Sequence, residues 1–421
     1  MQVKSQKLET KNIPKLRFPD FSGGWEEKRL GEVTEITSSK RVYSSDYVEN
    51  GIPFFRGKEI SELKRSKIAS DILYIKKSKF LEFKDKFGAP QKDDLLITSV
   101  GTLGNIYRVD LDYDFYFKDG NLIWLKSPKE NSRFLEMTLD FNKKELLRNV
   151  IGSTQKALTI EGIKKVEISL PPLPEQQKIA EFLGATDEWI ENLKAEMESL
   201  EVYKKGMMQE IFSQKIRFKN DNGKDFPKLE EIELYKVGKS YSGLVGKSGE
   251  DFGEGQPFVT YKQIFDNSEI DVNKFALVKI AEKEKQNRAQ FGDIFFTTSS
   301  ETPDEVGFSS VFLDSENRPY LNSFSFGFRP NSFGELDPHF AKFFFRSFIF
   351  RKEVVKLAQG STRYNISKIE FMKIKANLPS ALEQQKIAEF LTSLDKVIKS
   401  KQEQIIQAEK WKKGLMQGMF V

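Results

Sequence analysis

The sequence predicts an α+β chain: two tandem globular domains, separated and followed by long α-helices that pair as an antiparallel coiled coil. Three observations carry this. One 43-residue segment occurs twice. Apolar residues recur at alternating three- and four-residue spacing through both copies. The stretches before the copies hold short apolar runs broken by Gly, Pro, Asn and Asp, the pattern of strands and turns.

Residues 170–212 and 378–420 align without a gap at an offset of 208, with 20 of 43 positions identical. Both contain Glu-Gln-Gln-Lys-Ile-Ala-Glu-Phe-Leu, and near their ends Lys-Lys-Gly. Gly152-Ser153-Thr154 matches Gly360-Ser361-Thr362 at the same offset. Further upstream only traces of duplication survive. Trp25-Glu26-Glu27 with Leu30 and Val33 parallels Leu229-Glu230-Glu231 with Leu234 and Val237, and residues 94–98 parallel 293–297. Solenoid repeats run about 20–50 residues, so a period near 200 is a duplicated domain. The parse is a tail (1–15), a first domain (16–169), a central helix (170–213), a second domain (214–377) and a C-terminal helix (378–421).

In the first copy the apolar seam runs Ile179, Leu183, Thr186, Ile190, Leu193, Met197, Leu200, Lys204, Met207, Ile211. In the second it runs Ile387, Leu391, Leu394, Ile398, Lys401, Ile405, Ala408, Lys412, Leu415, Met419. Such spacing over more than four heptads indicates a coiled coil rather than ordinary core helices. Pro171, Pro172 and Pro174 suit a helix start, and Ser380-Ala381-Leu382-Glu383 has the capping-box pattern. About 38 residues give a helix of about 57 Å. The copies carry net charges of −5 (175–212) and +2 (383–421), which favours their pairing.

The whole chain carries +5, so +8 falls outside the two helices. Basic domains on an acidic-to-neutral rod suit a polyanion met by the domains. Within the first domain, Ile52–Phe55, Leu95–Ile97 and Leu122–Leu125 read as strands and Phe134–Val150 as helix. The second repeats the scheme with strands at Asp293–Thr298 and Phe324–Phe328 and a helix at Phe340–Leu357. Between these lie loops mixing cations, hydroxyls, amides and aromatics. The first domain offers Lys40, Arg41, Tyr43, Arg56, Lys58, Ser99, Thr102, Lys118 and Asn121. The second offers Lys239, Tyr241, Ser242, Tyr261, Lys262, Thr298, Ser299, Arg363 and Tyr364. Phosphates are met by Lys and Arg, and base edges by Arg, Asn, Gln, Ser and Thr. Each loop taken singly reads more readily as solvated surface.

Catalytic signatures are missing. There is no cysteine, which excludes disulfides and thiolate zinc sites. The one histidine, His339, sits at a helix start in Asp337-Pro338-His339-Phe340, a structural setting. Gly243-Leu244-Val245-Gly246-Lys247-Ser248 fails the phosphate-loop spacing, which needs Gly where Tyr241 stands. Gly101-Thr102-Leu103-Gly104 reads as a tight turn after a strand. The Asn-Pro-Pro-aromatic motif of adenine methyltransferases is absent, since Pro171-Pro172 follows Leu170. The nuclease-like Pro19-Asp20 and Glu62-Leu63-Lys64 are common by chance. No metal site, no signal peptide and no span of about 18 apolar residues is found, so a cytoplasmic location is expected.

Two variable domains, each followed by Gly-Ser-Thr, then Leu-Pro and Glu-Gln-Gln-Lys-Ile-Ala-Glu-Phe-Leu, then a long helix ending near Lys-Lys-Gly, closely resemble the specificity (S) subunit of type I restriction–modification enzymes. The resemblance covers essentially the whole chain. It implies that each domain is a target-recognition domain reading one half of a split double-stranded DNA sequence. The paired helices would set the unread gap and dock two methyltransferase subunits, with restriction subunits joining them. S-adenosylmethionine, ATP and Mg would belong to those partners, with no cofactor bound by this chain and no catalysis by it. Matched residues off the heptad seam, Gln176, Gln177 and Glu181 with Gln384, Gln385 and Glu389, are the expected docking positions. One departure stands out: Gly101–Gly104 in the first domain faces Ser300-Glu301-Thr302-Pro303 in the second, so the two present different surfaces. Two other readings stay open: the recognition subunit of an enzyme whose partner fuses methylation and cleavage, and a coiled-coil scaffold with two ligand-binding domains.

Overall fold

A computed structural model of the chain describes residues 12–65, 69–148, 150–151 and 156–421. Contacts divide it into two units, Met1–Leu193 with Gln404–Val421, and Lys194–Glu403. The long helices Leu173–Phe212 and Ala381–Met419 are unbroken. Each contributes one part to the first unit and one to the second.

The first unit opens and closes on one strand pair. Glu26–Arg29 runs antiparallel to Glu167–Leu170, so the domain ends beside its start, just before the helix begins. Between them lies a four-stranded antiparallel sheet in the order Glu35–Thr37, Leu122–Lys126, Leu95–Thr98, Ile106–Arg108. Leu95–Thr98 is buried throughout, because helix packs on one face and a second sheet on the other. That second sheet runs Tyr47–Val48, Leu73–Ile75, Ile52–Phe55, Tyr116–Phe117. The expected helix Phe134–Val150 is two helices, Ser132–Phe141 and Lys143–Arg148, broken at Asn142. Asn131 caps the first by accepting from the Phe134 N–H.

The second unit repeats the plan. Glu230–Glu233 pairs with Lys375–Leu378, and the main sheet runs Gly238–Ser242, Ser325–Pro330, Ile294–Thr297, Ser309–Val311. Its helical stretch likewise splits, into Pro338–Phe344 and Phe348–Val355, because Ser347 caps the second piece. Phenylalanines fill the space between sheet and helices: Phe371 lies 4.5 Å from Phe296 and 5.1 Å from Phe326, ring centre to ring centre. Many of the 37 phenylalanines of the chain are used in this way.

None of the twenty seam positions is exposed. Three of them are lysines, and each meets an acid of the opposite helix. In the first unit Lys412 pairs with Asp187. In the second, Lys401 pairs with Glu196 at 2.6 Å and Lys204 with Asp395 at 2.5 Å. Partner numbers fall as helix numbers rise, so the helices run antiparallel there. Such part-exposed pairs contribute little stability, about 0–1 kcal/mol each, but a slipped register would leave each lysine facing apolar side chains.

Each unit is closed by the far end of a long helix. Phe420 stacks on Phe134 (5.5 Å) and Phe141 (5.4 Å) and meets the edge of Trp25, inside the first unit. Ile211 and Phe212 do the same against Phe340 and Phe344 in the second. All four tryptophans (Trp25, Trp124, Trp189, Trp411) lie in the first unit, so their fluorescence reports on it alone. Phe420→Ala should lower the stability of that unit by about 3–5 kcal/mol, seen as an earlier tryptophan transition in urea.

Candidate nucleic-acid interface

In the first unit the loops following several strands converge on Ser99. Its N–H donates to the Asn121 carbonyl (2.8 Å), its hydroxyl to the Gly120 carbonyl (2.8 Å), and its carbonyl accepts from the Leu158 N–H (2.9 Å). The Lys118 N–H donates to the Phe55 carbonyl at 2.9 Å, which brings in Arg56-Gly57-Lys58. The Arg41 guanidinium reaches Asp119 at 3.1 Å, and the Lys40 N–H donates to the Tyr116 hydroxyl. Gly101 and Gly104 both have left-handed backbone, and the Gly104 N–H returns to the Thr98 carbonyl, closing the expected tight turn. Lys40, Arg41, Lys58, Thr102 and Lys118 are therefore exposed around one end of the sheet. Tyr43 is exposed too, just before the short helical turn Ser44–Asp46.

The second unit builds its counterpart from the same strand ends. The N–H and hydroxyl of Thr298 both donate to the Phe324 carbonyl (3.0 and 2.7 Å), and the Ile366 N–H donates back to Thr298. Ser299–Ser300 pairs with Tyr364–Asn365, placing Arg363 alongside. The Tyr261 hydroxyl donates to the Ser299 carbonyl at 2.6 Å, and burial raises its pKa. These segments surround a cleft of about 310 Å³. Lys262 is exposed and pairs with Asp266 one helical turn on. Ser242 accepts from Lys368, whereas Lys239 stands at the opposite end of its strand, across from Arg329. Gly360–Thr362 lies exposed beside Arg363, while Gly152-Ser153-Thr154 falls outside the described residues.

Several expectations are corrected by these contacts. Gln176 and Gln384 are not on an outer face: each is 1% exposed. The Gln176 amide donates to Glu130 and the Pro171 carbonyl and accepts from the Asn131 N–H. Gln384 donates to the Glu335 and Pro379 carbonyls and accepts from the Asp337 N–H. Both glutamines fasten the helix start to its own domain. Only Gln177, Glu181, Gln385 and Glu389 stay exposed. The Ser380 capping box does not form: its hydroxyl has no partner among the described residues, and Glu383 is taken by Arg217. Tyr241 points into the fold, donating to Asp293 at 2.6 Å under the Arg329 guanidinium, and burial raises its pKa strongly. Arg56 is held by buried Glu59 at the start of its own helix. Ser99 is buried and shapes the loops rather than facing solvent.

Sequence reasoning missed the pair that these glutamines flank. Arg17 binds Glu175 through two bonds of 2.7 Å, and Arg217 binds Glu383 at 3.0 and 2.6 Å. Phe18 packs on Phe182 and Phe218 on Phe390 in the same way. The signal was present as Lys15-Leu16-Arg17-Phe18 against Lys215-Ile216-Arg217-Phe218, two hundred residues apart. Also missed were the aromatics of the second cleft, Phe265 and Phe324.

The sequence pattern of type I restriction modification DNA specificity domains matches twice, over residues 22–202 and 225–410. The chain belongs to that family. It is a type I restriction–modification specificity subunit with two recognition domains. It is 24% identical over 440 residues to the putative type I restriction enzyme MjaX specificity subunit of Methanocaldococcus jannaschii, covering 99% of this chain and 97% of that one. Its fold is similar to the S subunit of the type I restriction–modification system of M. genitalium (TM-score 0.55, 16% identity, 97% of this chain and 99% of that one). A structure described for complex assembly and conformational transition of the type I R-M system is similar too (TM-score 0.59, 19% identity, 94% and 97%). The specificity subunit's described helices include none long and apolar enough to cross a membrane.

Burial distinguishes the two glutamines of each motif. Gln176→Ala and Gln384→Ala should each destabilise the subunit by about 1–3 kcal/mol through orphaned backbone groups. Gln177→Ala and Gln385→Ala should stay within about 0.5 kcal/mol. Urea denaturation of the four variants checks this.

Proposed function

We propose that the convergent loop end of each unit reads one half of a bipartite double-stranded DNA target. The observation that carries this is the repeated frame with unlike loops: both units gather the ends of the same strands, while the loops and side chains presented there differ. In the first unit the contacts fall to Lys40, Arg41, Lys58, Thr102, Lys118 and Asn121, with Tyr43 at the margin. In the second they fall to Tyr261, Lys262, Thr298, Arg363 and the neighbourhood of Ser242, Ser299 and Tyr364. Lysines on phosphates give affinity and position, while Asn, Thr and Arg at base edges give sequence choice.

In this reading the chain performs no chemistry itself. The exposed Gln177, Glu181, Gln385 and Glu389 contact two methyltransferase subunits, and restriction subunits join that complex in the cytoplasm. Those partners carry S-adenosylmethionine, ATP and Mg. The missing catalytic motifs support this division of labour.

Co-expression with the neighbouring methyltransferase gene, followed by genome-wide mapping of N6-methyladenine, tests the proposal. One split motif should appear, vanish on deletion of this chain, and change in one half only when residues 16–169 are exchanged. Methylation unchanged by deletion would overturn it in favour of a scaffold. In binding assays, replacing Lys58 and Lys118 by Ala should weaken all sequences alike and reduce the slope of log K against log salt by about 2.

A further inference from the structure

We propose that the second unit takes one base, unstacked from its target DNA, into the cleft beside Ser299, while the Phe324 ring enters the duplex in its place. This rests on the DNA-reading function above and assigns a way of reading to one half only.

The cleft, about 310 Å³, is at the lower end of small-ligand pockets and suits one planar group. One side is aromatic: Tyr261 and Phe265, four residues apart on one helix, line it with nearly parallel rings, 6.0 Å apart at 17°. Ser299, which lines it, is 8% exposed, yet among the described residues its hydroxyl has no hydrogen-bond partner. Buried hydroxyls in folded proteins are nearly always paired, so this one, at the lining of a cleft, is available to a partner that arrives from outside. Arg363 adds a donor, and Glu301 and Glu305 add acceptors, with Glu305 oriented by the Ser300 hydroxyl at 3.0 Å.

Charge decides the ligand class. Two carboxylates and one guanidinium make a poor phosphate site. They suit a neutral base whose exocyclic amine donates to a carboxylate, as adenine and cytosine do. A base stacked in a duplex cannot enter such a cleft, so it has to leave the stack. Phe324 supplies the compensation. Its ring is 59% exposed at a turn tip, while its backbone is pinned: the N–H donates to Asn322 and the carbonyl accepts twice from Thr298. A rigidly held apolar side chain facing DNA acts as a wedge that replaces a displaced base. The matching turn of the first unit is Asp119-Gly120-Asn121, with no aromatic, so that half is read without unstacking.

The test uses the complex of this chain with its methyltransferase subunits on duplexes carrying the mapped motif. Each adenine and cytosine of the second half-site, the methylated adenine excepted, is probed by 2-aminopurine placed at the position 5′ to it, so that the candidate base keeps its own exocyclic amine. With the duplex saturated by anisotropy, emission should rise several-fold at one position. The rise should be lost in Phe324→Ala and reduced in Arg363→Ala, both exposed residues whose removal leaves the fold intact. No probe in the first half-site should brighten. If wild type binds the motif and no second-half probe brightens, or if the rise persists in Phe324→Ala, the proposal is wrong. If wild type shows no preference for the motif at all, the DNA-reading function fails instead.

Discussion

A charge buried at each helix start is the constraint on which the rest of the molecule depends. Glu175 and Glu383 have essentially no exposed side-chain surface, and each is tolerated only because a guanidinium binds it with two bonds. Burying an unpaired carboxylate costs several kcal/mol, so helix, incoming chain and domain have to meet in one geometry. The glutamine that follows each glutamate ties the helix to the loop ahead of the domain's own helix. Together they fix the direction in which each long helix leaves its domain. Hydrophobic packing alone, through Ile179 or Ile387, would permit sliding; the ion pair and amide do not.

Much of this architecture was legible beforehand, because it follows from period and repetition. The seam positions, the strands around residues 52–55, 95–98 and 294–297, and the turn at Gly101–Gly104 follow from spacing alone. The failures share one physical cause. A heptad pattern identifies the face a helix turns to its partner helix, but says nothing about a third body. Gln176 and Gln384 lie off the seam and looked exposed, yet the domain packs on that second face. Likewise, the partners of Glu175 and Glu383 are 158 and 166 residues away, beyond any local signal. Phe324 looked like the first residue of a strand and proves to be a turn tip.

The two units also show how a duplicated frame tolerates divergence. The loops are positioned mainly by backbone bonds, such as Lys118 to Phe55 in one unit and Asn322 to Val259 in the other, which do not depend on side-chain identity. Where side chains take part, charges have been exchanged. In the first unit Lys64, at the end of the helix Gly57–Leu63, binds Asp140 at 2.6 Å. In the second, Arg346 caps the equivalent helix by donating to the Ile264, Phe265 and Asn267 carbonyls. Burial holds its pKa down to about 10. One junction is thus closed by two chemistries, leaving the loop surfaces free to change.

The closure of the first unit by Met419 and Phe420 has a consequence for the order of synthesis. The second unit is one continuous stretch, 194–403. The first unit is completed by residues 404–421 and lacks part of its core until they are made. The first unit therefore cannot complete its core before the second has been synthesised, unlike the usual N-terminal-first sequence. Until then the faces of Phe134 and Trp25 that Phe420 covers stay open to water. The interval between making the first domain and sealing it is a built-in period of vulnerability to aggregation, set by the length of everything between.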